Sequence, residues 1–139
     1  MCLTNKLVDH FKLQRMKELT KAEEQLMQIL WEIEKGFVND ILEKLPLPKP
    51  AYNTVSTIVR ILERKGFVGH TAYGKTHEYF PLISKREYTK SYFKGFMSNY
   101  FENSYQALAS FFTKENNLSI EELEEIRAMM ETEINKQKK

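Results

Sequence analysis

The sequence predicts a mainly α-helical fold that contains one small β-hairpin. Apolar residues recur at helical spacing along most of the 139 residues, and three of these stretches begin with a hydroxyl residue followed by a carboxylate three positions later. Behind Gly66 the pattern changes to two short runs rich in aromatic and β-branched residues. The order of elements divides the chain into an extension over 1–19, a head domain over 20–83 and a helical C-terminal domain over 84–139.

Composition sets outer limits on the class of protein. The chain carries 21 basic and 19 acidic residues, and its net charge of +2 neither requires nor excludes nucleic acid. Its single cysteine, Cys2, excludes an internal disulfide and fits a reducing cytoplasm. The opening residues form no signal peptide, and no apolar run approaches the roughly 18 residues of a membrane span. We therefore expect a cytoplasmic protein without direct membrane insertion.

The first clear helix is predicted over 20–34. Thr20 and Glu23 form a capping box at its start, and Gly36 follows it as the expected stop. The residues before it, 1–19, fit either a flexible tail or a short additional helix, and Met16 is an alternative start of the chain. No structure is assigned to this extension.

A second short helix, over 37–45, is followed by a proline-rich turn that forbids its continuation. The third helix begins behind Pro50 and is expected to stop at Gly66. At 100° per residue one side of it is apolar, with Val55, Ile58, Val59 and Leu62. The opposite side is polar and free of acids, with Asn53, Ser56, Thr57, Arg60 and Arg64.

Two strands, 67–72 and 76–82, are predicted behind this helix, with Tyr73-Gly74-Lys75 as the turn. Two helices joined by a turn, preceded by a third and followed by a hairpin, form a winged helix-turn-helix. Over 51–86 six basic residues face two acidic ones, which gives the segment a net charge of +4. Amide and guanidinium groups can bind base edges, and hydroxyl and basic groups can bind phosphates. An ordinary amphipathic helix with a solvated face is the alternative interpretation of the third helix.

The C-terminal domain is predicted to hold two helices. The first begins at the capping pair Ser84 and Glu87 and extends to Phe112; the second begins at Ser119 and Glu122. Their apolar side is too large for two helices to bury against each other, so we expect a second copy of the chain to cover it. Folding back onto the head of the same chain is the alternative. The expected dimerisation residues are Tyr92, Phe93, Phe96, Met97, Tyr100, Phe101, Leu108, Leu123, Ile126 and Met130.

Enzymatic and metal-dependent functions find little support. The sequence has no glycine-rich phosphate loop, no HExxH motif and no catalytic-triad spacing. The glutamates of 121–125 are most simply a solvated face, since 115–134 carries seven acids and one base. His70 and His77 lie on facing strands, but two histidines without further ligands indicate a structural or phosphate-contacting role rather than a metal site. We expect no enzyme activity, no cofactor and no metal.

From about Leu19 onward the sequence resembles the penicillinase repressor family. The resemblance rests on the segments LTKAEEQLMQILWE, NTVSTIVRILERKGFV and LSIEELEEI, and on the order of elements. It implies a cytoplasmic homodimer whose winged helix binds a palindromic operator and whose C-terminal helices make the dimer. In the family's antibiotic branch a membrane sensor triggers proteolysis of the repressor, which makes a sensor-protease pathway a further implied partner.

The chain departs from the family's pattern at three places. The family's cleaved bond joins Asn and Phe, whereas its nearest counterpart here is Ser110-Phe111. An arginine common in the family's recognition helix is replaced by Ile61, and Arg60 precedes it. The paired Cys-x-Cys motifs of the copper branch are missing from the sequence, so thiolate copper sensing is unsupported.

The sequence therefore predicts a homodimeric winged-helix repressor that binds a double-stranded DNA operator, within a β-lactam-resistance-type circuit. The alternative is a winged helix that has lost DNA binding and serves as a protein-interaction module. The acid-free polar face favours DNA. The expected DNA-binding residues are Asn53, Thr54, Ser56, Thr57, Arg60, Arg64, Tyr73 and Lys75.

Overall fold

The structure, a computed structural model, describes residues 19–115 and 117–139. The described residues form α1 (Lys21–Ile33), α2 (Val38–Lys44), α3 (Tyr52–Arg64), β1 (Val68–Tyr73), β2 (Thr76–Pro81), α4 (Lys85–Phe101), α5 (Tyr105–Glu115) and α6 (Ile120–Gln137). The chain divides into two compact units between Gly95 and Phe96. We call the described residues of the first unit, 19–95, the head, and those of the second the tail. The expectations for 1–18 and for a start at Met16 lie outside the described residues.

The first helix begins as predicted. The Thr20 hydroxyl accepts a hydrogen bond from the Glu23 N–H at 3.2 Å, and the Glu23 carboxylate accepts one from the Thr20 N–H at 3.1 Å. The end of the helix differs from the prediction, because Glu34, rather than Gly36, adopts the left-handed conformation, with φ 71°. Gly36 is needed for close packing instead, since a Cβ there would lie 2.7 Å from Ile33 Cδ1.

Gly36 also adds a short third strand position to the hairpin. Its N–H donates to the Tyr79 carbonyl at 2.9 Å, and the Tyr79 N–H donates back to the Gly36 carbonyl at 2.8 Å. The backbone between α1 and α2 is therefore fixed to β2. This contact ties the first helix pair to the wing.

The hairpin has the predicted place and nearly the predicted bounds. Its antiparallel register runs from Val68 opposite Pro81 to Tyr73 opposite Thr76, so Tyr73 ends β1 rather than belonging to the turn. Gly74 has φ +64° at the first central position of the two-residue turn, the conformation of a type II′ turn. The hairpin forms the wing of a winged helix-turn-helix, as predicted.

The head has a continuous hydrophobic core drawn from α1, α2, α3, the hairpin and α4. Three residues of the predicted apolar side of α3 (Val55, Val59 and Leu62) are fully buried, while Ile58 is only half-buried against them. The fully or largely buried members of this core are Leu26, Met27, Ile29, Leu30, Val38, Ile41, Leu45, Val55, Val59, Leu62, Phe67, Val68, Tyr79, Ile83 and Tyr88.

The head extends beyond the boundary predicted at residue 83. The Trp31 indole N–H donates to the Ile83 carbonyl at 2.8 Å, and the Trp31 ring lies 5.5 Å from the Tyr88 ring, between centroids. Tyr88 also meets Phe67 edge to face at 6.4 Å. The first turns of α4 are thus part of the core of the head.

The tail contains a helix break that the sequence analysis missed. A single helix was expected from Ser84 to Phe112, but Glu102 and Asn103 adopt left-handed conformations, with φ 50° and 63°. The Asn103 N–H donates to the Met97 carbonyl at 2.9 Å, and Ser104 then caps α5 by accepting from the Ala107 N–H at 3.1 Å. The predicted two-helix C-terminal region is therefore wrong: three helices follow the hairpin. Ser119 caps the last of them as predicted.

Most large apolar side chains of the tail are exposed in a single chain. Met97 is 1% exposed, so this member of the predicted dimerisation set is already buried and is not available to a partner. The side chains at Phe96, Phe101, Leu108, Leu123 and Ile126 are half-buried. Among the described helices, none is long and apolar enough to cross a membrane. The exposed large apolar side chains of the tail are Tyr100, Tyr105, Phe111, Ile120, Met129, Met130 and Ile134.

Candidate nucleic-acid interface

One face of α3 presents the predicted polar side chains to solvent. Asn53, Thr54, Thr57, Arg60 and Arg64 are exposed, and Ser56 is half-buried. The Thr57 hydroxyl donates to the Asn53 carbonyl at 2.8 Å, one turn earlier in the helix. Since the opposite side of α3 is buried in the core, the polar face is held outward by packing.

The two ends of α3 are fixed by charged side chains. Before the helix, the Lys49 ammonium donates to the Leu42 and Glu43 carbonyls at 3.1 and 2.9 Å, at the C-terminus of α2. Behind it, the Lys65 ammonium donates to Glu23 Oε2 at 2.9 Å. The Glu23 side chain is only 7% exposed, so this ion pair is partly desolvated and stronger than a surface pair.

Arg60 contacts the wing as well as solvent. Burial raises the pKa of the Tyr79 hydroxyl, and the nearby Glu63 carboxylate raises it further. The positive charge of Arg60, and its hydrogen bond to the Tyr79 hydroxyl, act on the same pKa in the opposite direction. Arg60 is thus an exposed guanidinium whose position is partly set by a buried tyrosine of β2.

A second contact between α3 and the wing involves an acid and a histidine. Glu63 Oε2 and His70 Nδ1 form a hydrogen bond or ion pair, and both side chains are about 30% exposed. The His70 ring stacks on the His77 ring, with centroids 4.1 Å apart and planes 9° apart. Among the described residues, no group of three or more His, Cys, Asp or Glu residues is placed to hold a metal ion.

The wing tip places the last two predicted residues outward. Lys75 is exposed in the turn, and Tyr73 is 57% exposed with its ring 6.0 Å from the Phe37 ring. Tyr73 therefore has one side supported by the start of α2 and one side free. A basic tip on a short hairpin is suited to contact a phosphate backbone or a minor groove.

The arrangement brings the predicted residues into two groups, six on α3 and two on the wing. Three neighbours that the sequence analysis did not assign to the interface connect these groups: Glu63, His70 and Tyr79. Their only sequence signal was the alternation of His70 on one strand with His77 and Tyr79 on the other. That register puts all three side chains on one hairpin face.

Comparisons with known proteins agree with this architecture. The family model described as penicillinase repressor matches residues 19–132. The methicillin resistance regulatory protein MecI of Staphylococcus aureus (strain N315) is 25% identical over 114 residues, which cover 81% of this chain and 93% of that protein. The penicillinase repressor of Bacillus licheniformis is 21% identical over 127 residues, covering 91% and 99%.

Solved structures give weaker likenesses. The solution structure of the DNA binding domain of the repressor BlaI has a TM-score of 0.45 at 22% identity, covering 50% of this chain and 87% of that one. The crystal structure of overoxidized AbfR bound to DNA has a TM-score of 0.43 at 19% identity, covering 91% and 86%.

The family assignment rests on the family model, which spans both the head and most of the tail. The members named in the comparisons are regulators rather than enzymes. With its winged head, its outward polar face on α3 and a match over residues 19–132, the chain belongs to the penicillinase repressor family.

Proposed function

We propose that the chain is a homodimeric, sequence-specific DNA-binding transcriptional repressor that occupies a palindromic operator. The observation that carries the proposal is the outward face of α3, which is exposed, rich in amide, hydroxyl and guanidinium groups, and free of acids. Membership of a repressor family supports it. The same face argues against a protein-interaction module, because a docking surface has no need to exclude carboxylates.

Within this proposal, α3 lies in the major groove. Asn53 and Arg60 have the groups that bind base edges, and the lysine at the wing tip, Lys75, binds the backbone or reaches the minor groove together with Tyr73. The hydroxyls and the second arginine of α3 bind base edges or the flanking phosphates: Thr54, Ser56, Thr57 and Arg64.

The tail supplies the dimer. Its exposed apolar side chains are suited to a second copy, and a two-fold pair of heads matches a palindrome. The half-sites are then expected about 10.5 base pairs apart, or a multiple of that, on one face of the duplex. The names of the relatives favour a β-lactam-resistance-type circuit, and with it a membrane sensor-protease pathway and an intracellular location.

Gel-shift titrations at two salt concentrations test the proposal, with an operator selected from random duplexes and a scrambled duplex. Lys75→Ala is expected to weaken both complexes equally and to lower the salt slope by about one. Arg60→Ala is expected to cost about 1–3 kcal/mol on the operator and little on the scrambled duplex. Lys136→Ala, an equally exposed change in α6, is the matched control. Unchanged binding by the first two variants contradicts the assignment of α3 and the wing.

A further inference from the structure

The contact between Glu63 and His70 joins the proposed DNA-binding helix to the wing. It lies between an acid of α3 and a histidine of β1, and both side chains are half-buried rather than free in solvent. The stacked ring of His77 supports the other side of His70. His70 is therefore held in one orientation, with its Nδ1 directed at the carboxylate.

Glu63 lies at the edge of the polar face of α3. Three residues separate it from Arg60, which places the two side chains about 60° apart around the helix axis. Both act on the Tyr79 hydroxyl between them, one with a negative and the other with a positive charge. An uncompensated carboxylate at this position would attract Arg60 and repel phosphates.

We propose that His70 is a positioning residue for DNA binding, which holds the Glu63 carboxylate against the wing and, when protonated, cancels its charge beside Arg60. The inference rests on the proposed function. It assigns a role to the one acid of α3, which the DNA-binding face itself does not use. The contact acts on affinity through charge as well as through wing position.

The stack with His77 limits the pair of rings to one proton. Two imidazolium rings face to face at 4.1 Å would repel each other, and only His70 contacts a carboxylate. The other titratable or charged groups around the site are Arg60 and Tyr52 on α3 and Tyr79 on β2, while Glu78 lies on the opposite hairpin face. Since histidine changes charge between about pH 5 and 8, the site passes from neutral to negative as the pH rises.

The first experiment measures DNA affinity of the full chain at pH 6 and pH 8 at constant ionic strength. The wild type is expected to bind about threefold to tenfold more tightly at pH 6, the effect of one charge at a DNA surface. His70→Gln should bind at both pH values as the wild type does at pH 8. His77→Gln is the matched control, because it removes the stacked ring and leaves the carboxylate contact, and it should keep the pH response.

The second experiment separates charge from architecture. If the contact were only structural, Glu63→Gln would weaken binding; under the proposal it strengthens binding at pH 8, to about the wild-type level at pH 6. The double variant Glu63→Gln with His70→Gln should bind tightly at both pH values. Circular dichroism and melting temperature check that each variant is folded.

The outcomes are distinguishable from a failure of the proposed function. A wild-type protein that binds no duplex at either pH overturns the proposed function itself. A wild-type protein that binds DNA while Glu63→Gln binds more weakly, or while His70→Gln keeps the full pH response, overturns the role of His70 alone.

Discussion

The head and the tail solve the burial of apolar surface in opposite ways. In the head, fifteen core residues drawn from six elements are less than a tenth exposed. In the described residues of the tail, Met97 is the only buried apolar side chain, and neither α5 nor α6 contains a buried residue. Similar fractions of apolar sequence therefore give one region with a core and one without.

The difference shows what each region requires to be stable. The head buries enough apolar surface to offset the loss of chain entropy on folding by itself. The tail leaves side chains such as Tyr100 and Ile134 in water, an arrangement typical of a surface that a partner covers. Stability of the head should thus be independent of protein concentration, and that of the tail should depend on it.

The largest effect is expected from a cavity in the head. Leu62 on α3 is fully buried, so Leu62→Ala should lower the free energy of unfolding by about 2–5 kcal/mol. Leu47→Ala is the matched control, because this leucine is 83% exposed and should change stability by less than about 0.5 kcal/mol. Urea denaturation followed by fluorescence measures both. Equal effects of the two variants would remove the distinction between a packed core and the surface.

Alkaline pH should weaken the head in particular. Burial raises the pKa of Tyr88 to about 12, with a further contribution from the Glu24 carboxylate, which its hydroxyl contacts at 3.5 Å. Because this pKa exceeds the ordinary value of 10.0, the contribution is complete below pH 10 and is lost as the pH rises toward 12. Two units correspond to about 2–3 kcal/mol.

Stability measured by denaturant titration between pH 9 and 12 tests this expectation. Tyr88→Phe should make the decline shallower, and the raised pKa of Tyr79 should leave a smaller decline of the same sign. Tyr100→Phe, a change at a tyrosine that is 73% exposed, should leave the profile as in the wild type. An identical profile for Tyr88→Phe and the wild type would contradict the assignment.

The smallest of these effects should arise in the tail, in self-association rather than in folding. Tyr100→Ser removes an exposed aromatic ring from the proposed dimer surface, so the dissociation constant of the dimer should rise about tenfold, or about 1.4 kcal/mol. The melting behaviour of the head should not change. Sedimentation over a range of concentrations measures it, with Leu47→Ala of the head as the control. A monomeric wild type would contradict the dimer itself.

Much of the fold could be predicted because its signals are local. Thr20 and Ser119 cap helices through residues three positions away, and Gly74 supplies the turn that its neighbours require. The break at Glu102 and Asn103 was missed because neither residue is a glycine or a proline. It is held by a backbone hydrogen bond to Met97, a contact that no local composition indicates.

The candidate site was predictable in its outward face and not in its supports. Helical periodicity alone places Asn53 and Arg60 on the side away from the core. The contacts of Lys65 with Glu23 and of His70 with Glu63 depend on how α1 and the wing pack against α3. Partners 42 residues apart in sequence, as in the first pair, are fixed only by the tertiary fold.

The bond from the Trp31 indole to the Ile83 carbonyl has a spectroscopic consequence. Trp31 is the only tryptophan of the chain, and it is half-buried against Tyr88 within the head. Its emission should therefore report the opening of the head and remain silent when the tail dissociates or loses helicity. Emission and helical dichroism, recorded on one sample, would give separate melting curves for the two regions without any added label.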